Sequence, residues 1–138
     1  MTKTATTGPW WEDLPRDRFG DKATLANELL SLVLAGKKTA SCCAQVGQGH
    51  IKPGARYVIE DGAGAPRCVI ETTSVETKRF NEIDAEFAKA EGEGDLSLAY
   101  WRRVHEDFFR RTTGFKPDMT VLCERFKVVE VISPEQRP

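Results

Sequence analysis

The segment Gly36-Lys37-Lys38-Thr39-Ala40-Ser41 sets two ammonium groups beside two hydroxyls within one short stretch. Such a pattern suits an anion site, because the glycine lets the chain turn sharply and presents cations next to a hydroxyl. It is not the phosphate loop GxxxxGK[ST], since Ser31 stands where that loop needs its first glycine. Two lysines just after a helix would also complement its C-terminal dipole, and that reading stays open beside the anion site. On an ideal strand Lys38 and Ser41 face opposite ways, so they can meet only if the junction is turned or bulged.

Further along, Glu91-Gly92-Glu93-Gly94-Asp95 gathers three carboxylates around two glycines. One carboxylate aimed into a cleft could shuttle a proton or pair with a lysine, and the others could bind a divalent metal ion. The plainer alternative is a solvated loop that caps the next helix. Glu71, beside Thr72 and Thr73, ranks second as the source of a working carboxylate. Arg102, Arg103, Arg110 and Arg111, with His105 and Lys78-Arg79, could form a local phosphate-binding face on which Tyr100 or Trp101 stacks a base. The same arginines suit helix-surface pairs, Arg102 with Glu106 and Arg103 with Asp107, and a helix C-terminus for Arg110 and Arg111. Arg125, between Cys123 and Phe126, must face solvent or a polar cleft and is a further phosphate ligand candidate.

The elements that would position these groups are legible from periodicity. Leu25, Ala26, Leu29, Leu32 and Val33 recur at helical spacing, which predicts a helix over 22–35 with Asp21 or Thr24 as N-cap and Gly36 as stop. Runs rich in β-branched residues predict strands over 39–46, 56–60, 67–76 and 120–132. A second helical zone begins near Asp84 and breaks at the Glu91 to Asp95 loop, and an amphipathic helix follows over 97–111, started by Ser97 or Asp95. Residues 1–18 read as an irregular arm whose aromatics pack on the body, and 133–138 as a tail.

A length of 138 residues fits one domain. A formal charge of −1 argues against holding nucleic acid by overall charge, so any such site must be local. The longest nearly apolar run, Leu29 to Ala35, is far too short to span a bilayer, and the N-terminus lacks the apolar core of a secretory signal, so a cytoplasmic protein with no membrane partner is expected. Cys42, Cys43, Cys68 and Cys123 form no CxxC pair and have no histidine at zinc-finger spacing. They read as small buried hydrophobes.

The turn at Gly36 to Ser41 resembles the GxKxxT signature of the ASCH family. The resemblance extends over roughly Phe19 to Val129, through Phe19-Gly20-Asp21, Leu29-Leu30, Cys68-Val69-Ile70-Glu71-Thr72-Thr73, Ala85-Glu86-Phe87-Ala88, Glu91-Gly92-Glu93-Gly94-Asp95, Tyr100-Trp101-Arg102 and Cys123-Glu124-Arg125-Phe126. It implies an α+β fold, a small PUA-like β-barrel with flanking helices, over residues 19–132. The chain is similar to the bacterial stand-alone branch, for which the family implies RNA binding, ribonuclease activity in some members and deacetylation of N4-acetylcytidine in others.

Carried over from the amidohydrolase members, the Lys, the Thr of GxKxxT and a downstream Glu fall on Lys38, Ser41 and Glu91. Ser41 departs from the threonine: its primary hydroxyl remains a competent nucleophile, but the lost methyl alters how the rotamer is held. A lysine base needs a lowered pKa, which desolvation or the neighbouring Lys37 would provide. The leading expectation is an RNA-binding protein that hydrolyses single-stranded RNA. Lys38 would stabilise charge on the scissile phosphate, Ser41 and Glu91 would position or deprotonate the attacking oxygen, and Gly36, Lys37, Thr39, Arg102, Arg103 and Arg125 would bind substrate. The alternatives are an amidohydrolase acting on N4-acetylcytidine and a non-catalytic reader of RNA or a nucleotide. RNA or a modified nucleoside is thus the expected partner, and a divalent metal ion the candidate cofactor.

Overall fold

The computed structural model describes residues 8–44 and 49–136. Helix α1 runs Ala23–Leu34 and turns Ala26, Leu29, Leu30 and Val33 inward, as its apolar spacing requires. Neither Asp21 nor Thr24 caps it. Lys22 occupies the N-cap position without a side-chain bond, because the Asp21 carboxylate is held 2.8 and 3.2 Å from the Arg111 guanidinium.

Five strands follow the predicted order with one addition: β1 (Arg16–Asp17), β2 (Ala40–Ala44), β3 (Arg56–Glu60), β4 (Pro66–Arg79) and β5 (Thr120–Val131). The short β1 lies inside the stretch read as irregular and pairs in parallel with β3, a partnership that a two-residue segment cannot signal by alternation. Residues 45 and 46, the end of the strand predicted over 39–46, lie outside the described residues. The sheet order is β1-β3-β4-β5-β2, antiparallel apart from β1. Register shifts at Val69/Ile70 and Thr72/Ser74 bend the long β4–β5 ladder. The fold is α+β and barrel-like, although among the described residues β2 does not pair back to β1.

Alternation along the strands divides the interior. Tyr57, Ile59, Cys68, Ile70 and Phe126 pack under Leu30 and Val33 of α1, while the intervening Val58 and Val69 pack on Trp11 and Ile132. At the other end of the sheet, α2 (Ala85–Glu91) and α3 (Leu98–Arg111) lay Phe87, Ala88, Trp101 and Phe109 over Ala40, Cys42, Val121 and Cys123. The large apolar side chains among these contribute about 1.5–3 kcal/mol each when fully removed from water. Asp84 caps α2 by accepting from the Phe87 N–H at 2.9 Å, and Ser97 caps α3 by accepting from the Tyr100 N–H at 3.1 Å. The four cysteines are free thiols, and Cys42, Cys68 and Cys123 are buried in these layers. Among the described residues no helix is long and apolar enough to cross a membrane.

Candidate active site

Lys38 enters the protein at the start of the outermost strand, where α1 and α3 converge. Gly36 makes this possible: its φ of +78° lets the chain fold back so that the Lys37 and Lys38 N–H groups both donate to the Leu32 carbonyl, at 2.9 and 3.1 Å. Thr39 then fastens the backbone on both sides, donating its N–H to the Ala90 carbonyl at 2.8 Å and accepting from the Phe126 N–H at 3.1 Å. Gly92 ends α2 at φ +74°, and a Cβ there would fall 2.3 Å from the Lys37 carbonyl oxygen. The acidic loop therefore lies directly against the lysine turn, and only glycine permits that approach.

The result is a buried ion cluster. Lys38 Nζ donates to Glu91 Oε1 at 2.8 Å, to Glu93 Oε2 at 2.9 Å and to the Glu91 carbonyl at 3.4 Å, and it sits 5.4 Å from the centre of the Phe19 ring. Glu91 Oε2 accepts from Trp101 Nε1 at 2.9 Å and lies 3.4 Å from His105 Nε2. His105 Nδ1 is 2.9 Å from the Trp101 carbonyl. A carbonyl can only accept, so Nδ1 carries a proton and Nε2 faces Glu91. The Trp101 and His105 rings stack with centroids 4.3 Å apart.

The charges follow from this geometry. Burial opposes the ammonium of Lys38, but the Glu91 and Glu93 carboxylates outweigh it and hold its pKa well above the usual lysine value. The lowered pKa expected of a lysine base is thus reversed, because two carboxylates rather than Lys37 are its neighbours; Lys37 itself is exposed. Burial alone would neutralise Glu91, yet Lys38 and His105 keep it ionised, well below the ordinary carboxylate range. Glu93 is the titratable member: burial and the charge of Glu91 push it up against the pull of Lys38. His105 is raised as well, since Glu91 and Glu93 overcome its desolvation.

These groups floor a cavity of about 60 Å³. Lys38, Ser41, Cys42, Glu91, Glu93 and His105 supply the polar side, and Phe19, Leu25, Leu29, Val104 and Phe108 the apolar walls, with Arg111 at one side. The predicted trio Lys38, Ser41 and Glu91 is thus brought together. Among the described residues, however, no hydrogen bond joins Ser41 to Lys38, whose three donors are already directed at Glu91 and Glu93. Ser41 belongs to β2 opposite Glu124, a buried carboxylate that accepts from the Tyr57 and Thr72 hydroxyls at 2.6 and 2.7 Å.

The other candidates are placed elsewhere. Gly36 and Thr39 line a second depression with Phe126 and Lys127, which meets the first at Lys38. Arg125 reaches Glu86 at 3.1 Å and lies over the Phe87 ring, on the outer side of α2. Glu71 is engaged by Arg56 at 2.8 Å on an exposed face, and Asp95 accepts from the Ser97 N–H at 2.9 Å. Arg102 and Arg103 are exposed on α3, and the pairings proposed for them do not form: Glu106 takes Arg110 instead, at 2.8 Å, and Arg103 lies 5.3 Å from the Tyr100 ring centre. The sequence does not single out Glu93 from its acidic neighbours, reads Cys42 as a small buried hydrophobe, and names Trp101 and His105 with the phosphate-binding face without linking them to Glu91. The usable signal was the i,i+4 spacing of Trp101 and His105 on the apolar face of α3.

Among the described residues, donor atoms of Cys42, Glu91 and His105 lie within 4.8 Å of one another, so these three side chains could together hold a metal ion.

The family model for the ASCH domain matches residues 16–130. The chain is similar to the solved structure of an ASCH domain from Lactobacillus crispatus, with 37% identity and a TM-score of 0.79 over 85% of this chain and 80% of that one. It is also similar to a protein of the DUF984 family from Enterococcus faecalis, with 32% identity and a TM-score of 0.80 over 88% of this chain and 80% of that one. An ASCH protein from Zymomonas mobilis shares the fold at 12% identity and a TM-score of 0.54, over 79% of this chain and 69% of that one. No curated protein matches the chain.

Proposed function

The chain belongs to the ASCH domain family, and from that premise we propose that it is an amidohydrolase removing the acetyl group from N4-acetylcytidine or a closely related N-acylated base. The observation that carries this reading is the neutralisation of Lys38 by Glu91 and Glu93 inside a small cavity. A phosphodiester would bring its charge up against two carboxylates, whereas the carbonyl of an amide is neutral until it is attacked. The cavity volume suits an acyl group, and its apolar lining, which includes Phe19 and Phe108, suits the base.

In this mechanism Ser41 Oγ attacks the acetyl carbonyl and passes its proton to Glu93, the carboxylate of the cluster that titrates most readily. As Glu93 is protonated its hold on Lys38 weakens, and the freed ammonium donor stabilises the developing oxyanion. The C–N bond breaks as the exocyclic nitrogen takes the proton from Glu93, releasing cytidine. Water then hydrolyses the acyl-serine ester, giving acetate and restoring Ser41. Glu91 stays ionised throughout and keeps Lys38 in place.

A second reading, hydrolysis of single-stranded RNA, draws support from Arg102 and Arg103. Both are exposed, and among the described residues neither forms an ion pair with a carboxylate, which suits phosphate contacts. The experiment is mass spectrometry of parallel incubations with N4-acetylcytidine and with single-stranded RNA, each beside Ser41→Ala. Acetate and cytidine that vanish in the variant are the expected result. RNA fragments with N4-acetylcytidine left intact would replace this reading by the ribonuclease, and no change in either substrate would leave a non-catalytic reader.

A further inference from the structure

We propose that Cys42 Sγ, Glu91 Oε2 and His105 Nε2 form a binding site for one zinc-class divalent cation at the floor of the cavity. The three donors come from β2, α2 and α3, elements packed rigidly on one another. A thiolate, an imidazole and a carboxylate make a borderline-soft set that favours Zn²⁺ over Mg²⁺ or Ca²⁺.

Spacing supports the assignment. Zinc bonds of about 2.0–2.3 Å place tetrahedral ligands about 3.3–3.8 Å apart. Glu91 Oε2 and His105 Nε2 already stand 3.4 Å apart, and the three donor atoms all fall within 4.8 Å of one another.

Trp101 supplies the outer support that metal-binding histidines and carboxylates usually have. Its carbonyl accepts from His105 Nδ1–H at 2.9 Å, which leaves Nε2 as the coordinating atom, and its Nε1–H donates to Glu91 Oε2 at 2.9 Å. One residue thereby orients two ligands. Because all three ligands line the cavity, the fourth coordination position opens onto it.

Cys42 would coordinate as the thiolate and His105 as the neutral imidazole, so binding releases protons. Lys38 remains on Glu91 Oε1 and Glu93, the oxygens that the cation does not use.

The test is titration of the reduced full-length protein with Co²⁺, read by absorption and independent of any turnover. The expected result is one equivalent bound, with four-coordinate ligand-field bands and a thiolate-to-cobalt charge-transfer band, all displaced by Zn²⁺. Cys42→Ser should abolish the charge-transfer band, and Cys42→Ser and His105→Gln should each weaken binding by at least about 100-fold, beyond the loss typical of an outer-sphere change. His50→Ala, at a histidine whose ring packs on Tyr57 and whose Nε2 lies 3.4 Å from Asp17 rather than at the cluster, should leave the affinity unchanged. Absence of saturable binding, or a wild-type spectrum persisting in either ligand variant, would overturn the proposal.

Discussion

Lys38 Nζ lies 2.8 Å from Glu91 Oε1, with both side chains only 1% exposed. The pair joins the turn after α1 to the end of α2 across 53 residues of sequence, so it holds the fold as well as the site. An ion pair this deep is costly to break from one side, because the remaining charge keeps its desolvation without its partner.

Lys38→Met should therefore destabilise the protein by about 3–5 kcal/mol. Urea unfolding of the variant beside the wild type measures it. A loss below about 1 kcal/mol, the range of exposed pairs, would show that the cluster is open to water.

Ser41→Ala should leave stability nearly unchanged, because the hydroxyl makes no hydrogen bond among the described residues, while lowering deacetylation by about 10⁴-fold or more. Ser41→Thr restores the family's side chain and should retain activity. Steady-state assays on cytidine release decide this, and an active Ser41→Ala variant would remove Ser41 from the nucleophile role.

Glu124 provides a pH prediction away from the cluster. Burial raises its pKa above the ordinary 4.5, more than the bonds from Tyr57 and Thr72 lower it. A group raised on folding contributes stability fully below its unfolded pKa and loses that contribution as pH rises through the folded one. Glu124→Gln should therefore be more stable than the wild type at about pH 7, and that advantage should disappear by about pH 3.5. Unfolding midpoints at the two pH values check it; an equal advantage at both would exclude ionisation as the cause.

Tyr57→Phe removes one hydroxyl donor from the same carboxylate and should cost about 1–3 kcal/mol. Thermal unfolding reads the loss, and a neutral substitution would mean that water replaces the hydroxyl.

Arg102→Ala with Arg103→Ala should leave N4-acetylcytidine turnover intact. If α3 contacts RNA, the salt dependence of binding should flatten by about 0.7 in log–log slope for each lost phosphate contact to a single strand. A fluorescence-anisotropy salt series reads the slope, and an unchanged slope assigns these arginines to solvation alone.

Much of the fold was legible because the helices and long strands carry their own periodicity. Helix α3 shows it in Trp101, His105 and Phe109, each one turn apart and all buried. The strand β1 was not legible, since two residues have no period and its partner β3 is distant in sequence. Lys38, Ser41 and Glu91 could be singled out from a short motif and one acidic loop. Which carboxylate meets the lysine could not: Glu71, Glu91, Glu93 and Asp95 are chemically alike, and only Glu91 and Glu93 lie where the loop presses on the Lys37 backbone.

The sequence by itself determined the helices, the four longer strands, their order and the lysine turn and acidic loop that carry the site, because local spacing sets helix, strand and turn. Tertiary structure alone decided the charge state of Lys38, the inward placement of Glu93 and the convergence of Cys42, Glu91 and His105. Each depends on distance and burial between segments far apart in the chain, and neither quantity is encoded in local spacing.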